Sequence, residues 1–161
     1  MSRSDRAAHA SGLIVETVSG HAIEPILDAL AELRIEVFRE YPYLYAGNRD
    51  YERNYLRGYA TTPRGVVVLA RDAEQIVGAA TAMPLAEHTE PVAPALTAAG
   101  IDPRHCYYFG ESVLRASYRG RGIGHAFFDQ REAAARQHGF SLATFCAVER
   151  PATHPRRSRP N

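Results

Sequence analysis

The chain has 161 residues, a formal net charge of +1, 45% hydrophobic and 23% charged residues, which fits one folded domain and removes any general electrostatic pull toward nucleic acid. Two cysteines, Cys106 and Cys146, are too few for a secreted disulfide framework, the polar N-terminus lacks the apolar core of a signal peptide, and no apolar run nears the ~20 residues of a membrane span. A soluble cytoplasmic protein that binds neither membrane nor nucleic acid is expected.

Leu13 to Val18 alternates apolar and polar residues and closes on Ser19-Gly20, the pattern of a strand. Ile23, Ile26, Leu27, Leu30, Leu33, Val37 and Phe38 then follow helical spacing up to the Tyr41-Pro42 break. A second helix is expected from Arg49 to about Tyr59, with Tyr51, Tyr55, Leu56 and Tyr59 on one face. Gly65 to Arg71 and Gln75 to Leu85 form a hairpin over Asp72-Ala73-Glu74, and residues 91–103 read as loop or short helix. A strand from Cys106 to Leu114 runs into a glycine-rich turn, a helix from about Gly122 to His138 capped by Gly139, and a last strand from Leu142 to Val148. Prolines at 151, 155 and 160 exclude regular structure beyond it. The division is a flexible N-terminus (1–11), one domain (12–150) and a disordered Pro/Arg-rich tail (151–161). The order β-α-α-β-β-β-α-β is that of a mixed α/β (α+β) fold. A doubly wound nucleotide fold would place the glycine turn after its first strand.

The turn Arg119-Gly-Arg-Gly-Ile-Gly124 opens a helix, where backbone N–H groups lack partners, the macrodipole is positive and glycines admit a phosphate closely. The dinucleotide fingerprint Gly-x-Gly-x-x-Gly fails, since its third glycine falls on His125, and a Walker loop is excluded because all 19 basic residues are arginine. Arg119-x-x-Gly122-x-Gly124, with Tyr118 before it and Ile123 inside it, instead resembles the acyl-CoA pyrophosphate loop of the GCN5-related N-acetyltransferase (GNAT) superfamily, patterned Gln/Arg-x-x-Gly-x-Gly/Ala. The element order agrees from about residue 12 to 151.

The resemblance implies a mostly antiparallel sheet flanked by helices, acetyl-CoA as co-substrate, and a primary amine of a small molecule or peptide as acceptor. Arg119, Gly120, Arg121, Gly122, Ile123 and Gly124 would hold the pyrophosphate, mainly through main-chain N–H groups. The backbone of Val113 and Leu114 would hold the pantetheine arm, with the Leu114 N–H aimed at the thioester carbonyl. An alkyl amine with a pKa near ~10.4 must lose a proton before it attacks. Glu111 is the first candidate base, although a plain strand sets 111 and 114 on opposite faces, so that a bulge or a water relay is required. Glu149 is the second candidate. Tyr41, Tyr43 and Tyr45, after the first helix, are candidates to line the acceptor pocket, against a packing role that tyrosines commonly fill.

Other residues carry less. His105-Cys106 and the seven scattered histidines show no metal-ligand spacing, so no metal is expected. Cys146, on an apolar strand, reads as a buried small hydrophobe or a neighbour of the pantetheine. Arg156, Arg157 and Arg159, without aromatic residues beside them, make a weak nucleic-acid arm. GNAT domains continue beyond the fifth strand with a helix and two strands, whereas only Ala152 to Asn161 follow here. A bacterial member truncated after the fifth strand is therefore expected, its apolar strand edge exposed and its general acid unassigned. The alternatives are a remnant that binds acyl-CoA or a partner without efficient catalysis, and a different phosphate-ligand enzyme. A second copy of the chain is a candidate partner.

Overall fold

The computed structural model describes residues 12–40, 43, 46–88 and 92–147. Strands β1 (Leu13–Val18), β2 (Val66–Asp72), β3 (Gln75–Pro84), β4 (Cys106–Leu114) and β5 (Leu142–Phe145) form one sheet in that spatial order. Helices α1 (Leu27–Phe38) and α2 (Arg49–Thr61) connect β1 to β2, the short α3 (Ala93–Ala98) lies between β3 and β4, and α4 (Ile123–Gln137) joins β4 to β5. The first three strand pairs are antiparallel. β4 and β5 are parallel, as a helical crossover between neighbouring strands permits. The expected mixed, mostly antiparallel architecture is therefore present.

The chain is buried on both faces of its central strands. Val67, Leu69, Ala79 and Val113 meet Leu27, Leu30, Leu33, Leu56 and Tyr59 of α1 and α2. Val68, Ala70, Val77 and Ala80 meet Ile123 and Phe127 of α4, which extends along Tyr107 and Phe109 through Ala134 and Ala135. The run Val66-Val67-Val68-Leu69-Ala70 is thus apolar throughout because both of its faces are covered.

Local chemistry accounts for the boundaries. The first helix starts at Leu27 and not at Ile23. Two 3₁₀ turns, Gly20–Ala22 and Glu24–Ile26, precede it, with Pro25 in the second, where its missing N–H costs no ladder bond. Asn48 caps α2 by accepting a hydrogen bond from the Tyr51 N–H at 3.0 Å. The β2–β3 hairpin closes through the two residues Ala73-Glu74, with Ala73 at φ +51°, in the left-handed region that such a turn demands. Gly139, at φ +82°, ends α4, and the Phe140 N–H reaches back to the Ala135 carbonyl at 2.9 Å. β5 ends at Phe145, short of the expected Val148, which lies outside the described residues.

Two β-bulges shape the centre of the sheet, each built on a glycine. Between the pairs Ala82–Phe109 and Ala80–Ser112, the single residue Thr81 opposes both Gly110 and Glu111. A Cβ on Gly110 would overlap the Thr81 hydroxyl and lie 2.9 Å from the Tyr59 hydroxyl, so only glycine fits. In the second bulge, a Cβ on Gly78 would meet Leu114 Cδ1 at 2.6 Å. The β4 bulge changes which way the strand points. Tyr107 and Phe109 face α4, whereas Glu111 and Val113 face α1 and α2. Without the extra residue Glu111 would share the face of Phe109. This is not the bulge that the sequence calls for as one way to bring Glu111 to the Leu114 side: it lies before Glu111, the pairing from Ser112 to Leu114 is regular, and Glu111 and Leu114 remain on opposite faces.

Gly110→Ala is expected to destabilise the protein by about 1–3 kcal/mol through overpacking, about 2–4 °C of Tm for each kcal/mol in a domain of this size. A thermal melt checks this, and an unchanged Tm would show that the bulge relaxes freely.

Candidate active site

Among the described residues the last pair between β4 and β5 is Phe109–Phe145, and β4 continues beyond it to Leu114 without a partner on that side. The Arg115 N–H bonds the Val77 carbonyl at 2.9 Å, which makes Gly78–Leu114 a non-hydrogen-bonded pair. In such a pair the main-chain N–H and C=O of Leu114 point away from β3, and two residues back so do those of Ser112. They face the side from which β5 has withdrawn. Where the strands part, a cleft of about 480 Å³ opens, with Arg34, Phe38, Tyr51 and Tyr55 of α1 and α2 on one side and Phe128 and Arg131 of α4 on another. Glu111 and Ser112 form its floor, and Phe145, Cys146 and Ala147 its β5 wall.

Glu111 enters this cleft as part of a charge network. Arg34 pairs with Glu111 through one terminal nitrogen and with Glu52 through Nε. Glu52 is 1% exposed and Arg34 9%. The Arg34 guanidinium also lies 4.9 Å from the ring centroid of Phe38 and 4.7 Å from that of Tyr55. The Tyr55 hydroxyl donates to Glu111 Oε2 at 3.4 Å and is 3.4 Å from the Tyr59 hydroxyl. Burial, as the largest cause, raises the Tyr59 pKa and keeps its phenol protonated. The helical period assembles the network: Arg34 and Phe38 are four apart on α1, and Glu52, Tyr55 and Tyr59 share one face of α2.

The opposite face carries a second buried guanidinium. Arg131, 1% exposed, donates to the carbonyls of Phe127 at 3.2 Å, Thr81 at 3.4 Å and Gly110 at 3.3 Å, and to the Ser112 hydroxyl at 2.9 Å. Its planar group stacks on Phe109 and Phe128 at 4.8 and 4.7 Å. Burial lowers its pKa to about 10, which leaves it charged at neutral pH. Among the described residues its partners are neutral oxygens and rings. Arg131 thus clasps the carbonyls at the bulge that holds Glu111.

The glycine turn follows β4 through a 3₁₀ turn at Ala116–Tyr118. Gly120 and Gly122 have φ of +77° and +82°, and Gly122 is the N-cap of α4. Ala126 is the first residue whose N–H bonds within the helix, to the Gly122 carbonyl, so the N–H groups of Ile123, Gly124 and His125 have no helical partner. Gly124 has no positive φ, and nothing lies within 4 Å of where its Cβ would be. The fold itself does not require glycine there; an incoming ligand would. The arginine side chains are engaged with the protein. Arg119 donates to the Leu114 carbonyl at 3.1 Å and pairs with Glu40 at 3.2 Å, and Arg121 donates to the Ser117 carbonyl at 3.0 Å while stacking on Tyr118.

Of the residues selected from sequence, Glu111 and Tyr43 line the cleft, Tyr43 edge-on to Phe38 at 4.9 Å between centroids. The Val113 side chain is core, so only its backbone is available. Tyr41, Tyr45 and Glu149 lie outside the described residues. Cys146 is exposed on the cleft wall and is not a core hydrophobe, because β5 has already ended before it. Arg34, Glu52, Tyr55 and Arg131 were not singled out from sequence. For the two arginines the i, i+4 spacing to an aromatic, Arg34–Phe38 and Phe127–Arg131, was a signal in the sequence. Among the described residues no group of three or more His, Cys, Asp or Glu could hold a metal ion, and no helix is long and apolar enough to cross a membrane.

Several solved structures share this fold. The aminoglycoside N-acetyltransferase AAC(6')-Iy in complex with CoA superposes with a TM-score of 0.62 at 12% identity, covering 84% of this chain and 77% of that one. The integron cassette protein VCH_CASS6 of V. cholerae gives 0.58 at 21% identity over 85% and 76%. A ribosomal-protein-alanine N-acetyltransferase from Brucella melitensis biovar Abortus 2308 gives 0.56 at 16% identity over 86% and 82%. No curated protein sequence matches significantly. The profile of the Acetyltransferase (GNAT) family matches residues 27–156. With its sheet order, its open β4 edge and its glycine turn at the start of α4, the chain belongs to the GNAT acetyltransferase family.

Proposed function

We propose that the protein transfers the acetyl group of acetyl-CoA to a primary amine of a small molecule or peptide. The observation that supports this reading is the side of β4 turned away from β3, where Glu111 and Ser112 line the cleft, the Leu114 N–H two residues further on points the same way as that of Ser112, and the strand leads into the glycine turn. Acetyl-CoA, when bound, supplies an activated carbonyl and a thiolate leaving group. The unpartnered N–H groups at the start of α4, with Gly122 and Gly124 giving close access, receive the pyrophosphate. The Val113 and Leu114 backbone aligns the pantetheine arm as an added strand would be aligned.

The amine nitrogen forms a bond to the thioester carbon, the C–S bond breaks, and the ammonium proton must leave. The Leu114 N–H, fixed by the sheet, donates to the carbonyl oxygen as it becomes an oxyanion, a contribution of order 10²- to 10³-fold for a preorganised donor. Glu111 accepts the proton, directly or through water, since it lies on the sheet face opposite the Leu114 side chain. Arg34 pairs with the carboxylate and the Tyr55 hydroxyl donates to it, and together they fix its orientation. Arg34 is accordingly a positioning residue.

Three outcomes test the reading. Acetyl-CoA at a hundredfold excess over Kd should stabilise the chain by about 2.7 kcal/mol in a thermal melt, with ATP and NAD as controls that give no shift; equal shifts from all three would sink the assignment. Gly122→Glu, which sets a carboxylate against the pyrophosphate and forces a side chain to φ +82°, should abolish the acetyl-CoA shift. Glu111→Gln should lower turnover at neutral pH by about 10²-fold while leaving acetyl-CoA affinity nearly intact; retained turnover would make Glu111 a structural partner of Arg34.

A further inference from the structure

We infer that the acceptor is an arylalkylamine, a single primary amine on a flat apolar body, and not a polycation of the aminosugar or polyamine kind. This rests on the acetyl-transfer reading and concerns the acceptor side of the same cleft. Its described walls are aromatic: Phe38, Tyr43, Tyr51, Tyr55, Tyr108 and Phe145. Glu111 is the one carboxylate lining it among the described residues, and Arg34 already holds that group.

A polycation needs several carboxylates to replace the water around its ammonium groups, because burying an unpaired charge is costly. Among the described residues the lining charges are two guanidiniums and one carboxylate. Aromatic faces can substitute for carboxylates by holding cations over their rings, yet Arg34 occupies the rings of Phe38 and Tyr55, and Arg131 those of Phe109 and Phe128. A further cation in the cleft therefore meets two fixed like charges. Tyr51 and Phe145 add aromatic surface on which no guanidinium is stacked among the described residues. Tyr51 and Phe145 are 62% and 56% exposed, and Phe38 and Tyr43 already show the edge-to-face geometry that a third ring would extend. Among the described lining residues one ammonium has one destination, Glu111.

The test measures kcat/KM with saturating acetyl-CoA for phenethylamine and tyramine against kanamycin and spermidine, on the wild-type chain and on Tyr51→Glu. Tyr51 is exposed on the first turn of α2, where an acidic residue suits the helix, so the variant adds a carboxylate to the wall without disturbing the core. The two arylalkylamines are expected to exceed the two polycations at least tenfold in the wild type, and Tyr51→Glu is expected to narrow that ratio at least threefold. A wild-type preference for kanamycin or spermidine, equal rates for both classes, or a ratio unmoved by Tyr51→Glu would overturn the inference. An acetyl-CoA melt run in parallel separates the levels. A shift with neither arylalkylamine acetylated defeats the acceptor assignment alone, whereas no shift and no turnover defeat the acetyl-transfer reading beneath it.

Discussion

The contact between Arg131 and the β4 bulge supports most of what is distinctive about this molecule. A strand that gains a residue against its neighbour turns carbonyls out of the ladder, and buried carbonyls without partners are costly. Arg131 reaches from α4 to the carbonyls of Thr81 and Gly110 with one terminal nitrogen. Gly110 leaves room for Thr81 and Tyr59 where any side chain would collide. The result is a strand whose first half packs Tyr107 and Phe109 against α4 and whose second half presents Glu111 to α1 and α2.

From that reversal follows the arrangement of charge. Glu111 arrives beside Arg34, which Glu52 anchors from behind, and the pair is enclosed by Phe38 and Tyr55. Removing one member of such a buried set leaves the other charge uncompensated, at a cost of order 3–5 kcal/mol, so the network also determines which substitutions the site tolerates. Two guanidiniums buried on opposite faces of one strand, each stacked on two rings, leave the described walls of the cleft mainly aromatic.

The fold is shared with acetyltransferases whose names specify quite different acceptors, an aminoglycoside in one and a ribosomal protein's alanine in another. What these chains have in common is a scaffold, and the chemistry of the acceptor lies in the side chains grafted on it. At 12–16% identity the superpositions speak for the sheet and its helices alone. The substrate must be argued from residues such as Arg34, Tyr51 and Tyr55.

Local information determined the elements of this protein. The strand Cys106–Leu114, the glycine turn from Arg119 to Gly124 and the Gly139 cap were all legible, because alternation, helical period and glycine at positive φ are properties of neighbouring residues. The turn at the start of α4 was legible for the same reason: it is a run of consecutive residues, with Gly120 and Gly122 at positive φ ahead of N–H groups that have no helical partner. Strand parity could state that Glu111 and Leu114 fall on opposite faces of a plain strand, but the bulge before Glu111 was not legible, since it depends on how Thr81 of another strand meets Gly110. Arg34 and Arg131 escaped notice because an arginine in a chain with no lysine carries little information by itself. Each becomes informative once the fold removes water from it and chooses distant partners, Glu52 and Glu111 for Arg34 and the Thr81 carbonyl for Arg131. Only the tertiary structure decided that Glu111 has a guanidinium for a neighbour and that the cleft around it is walled by rings, because burial and long-range pairing are properties of the packed chain.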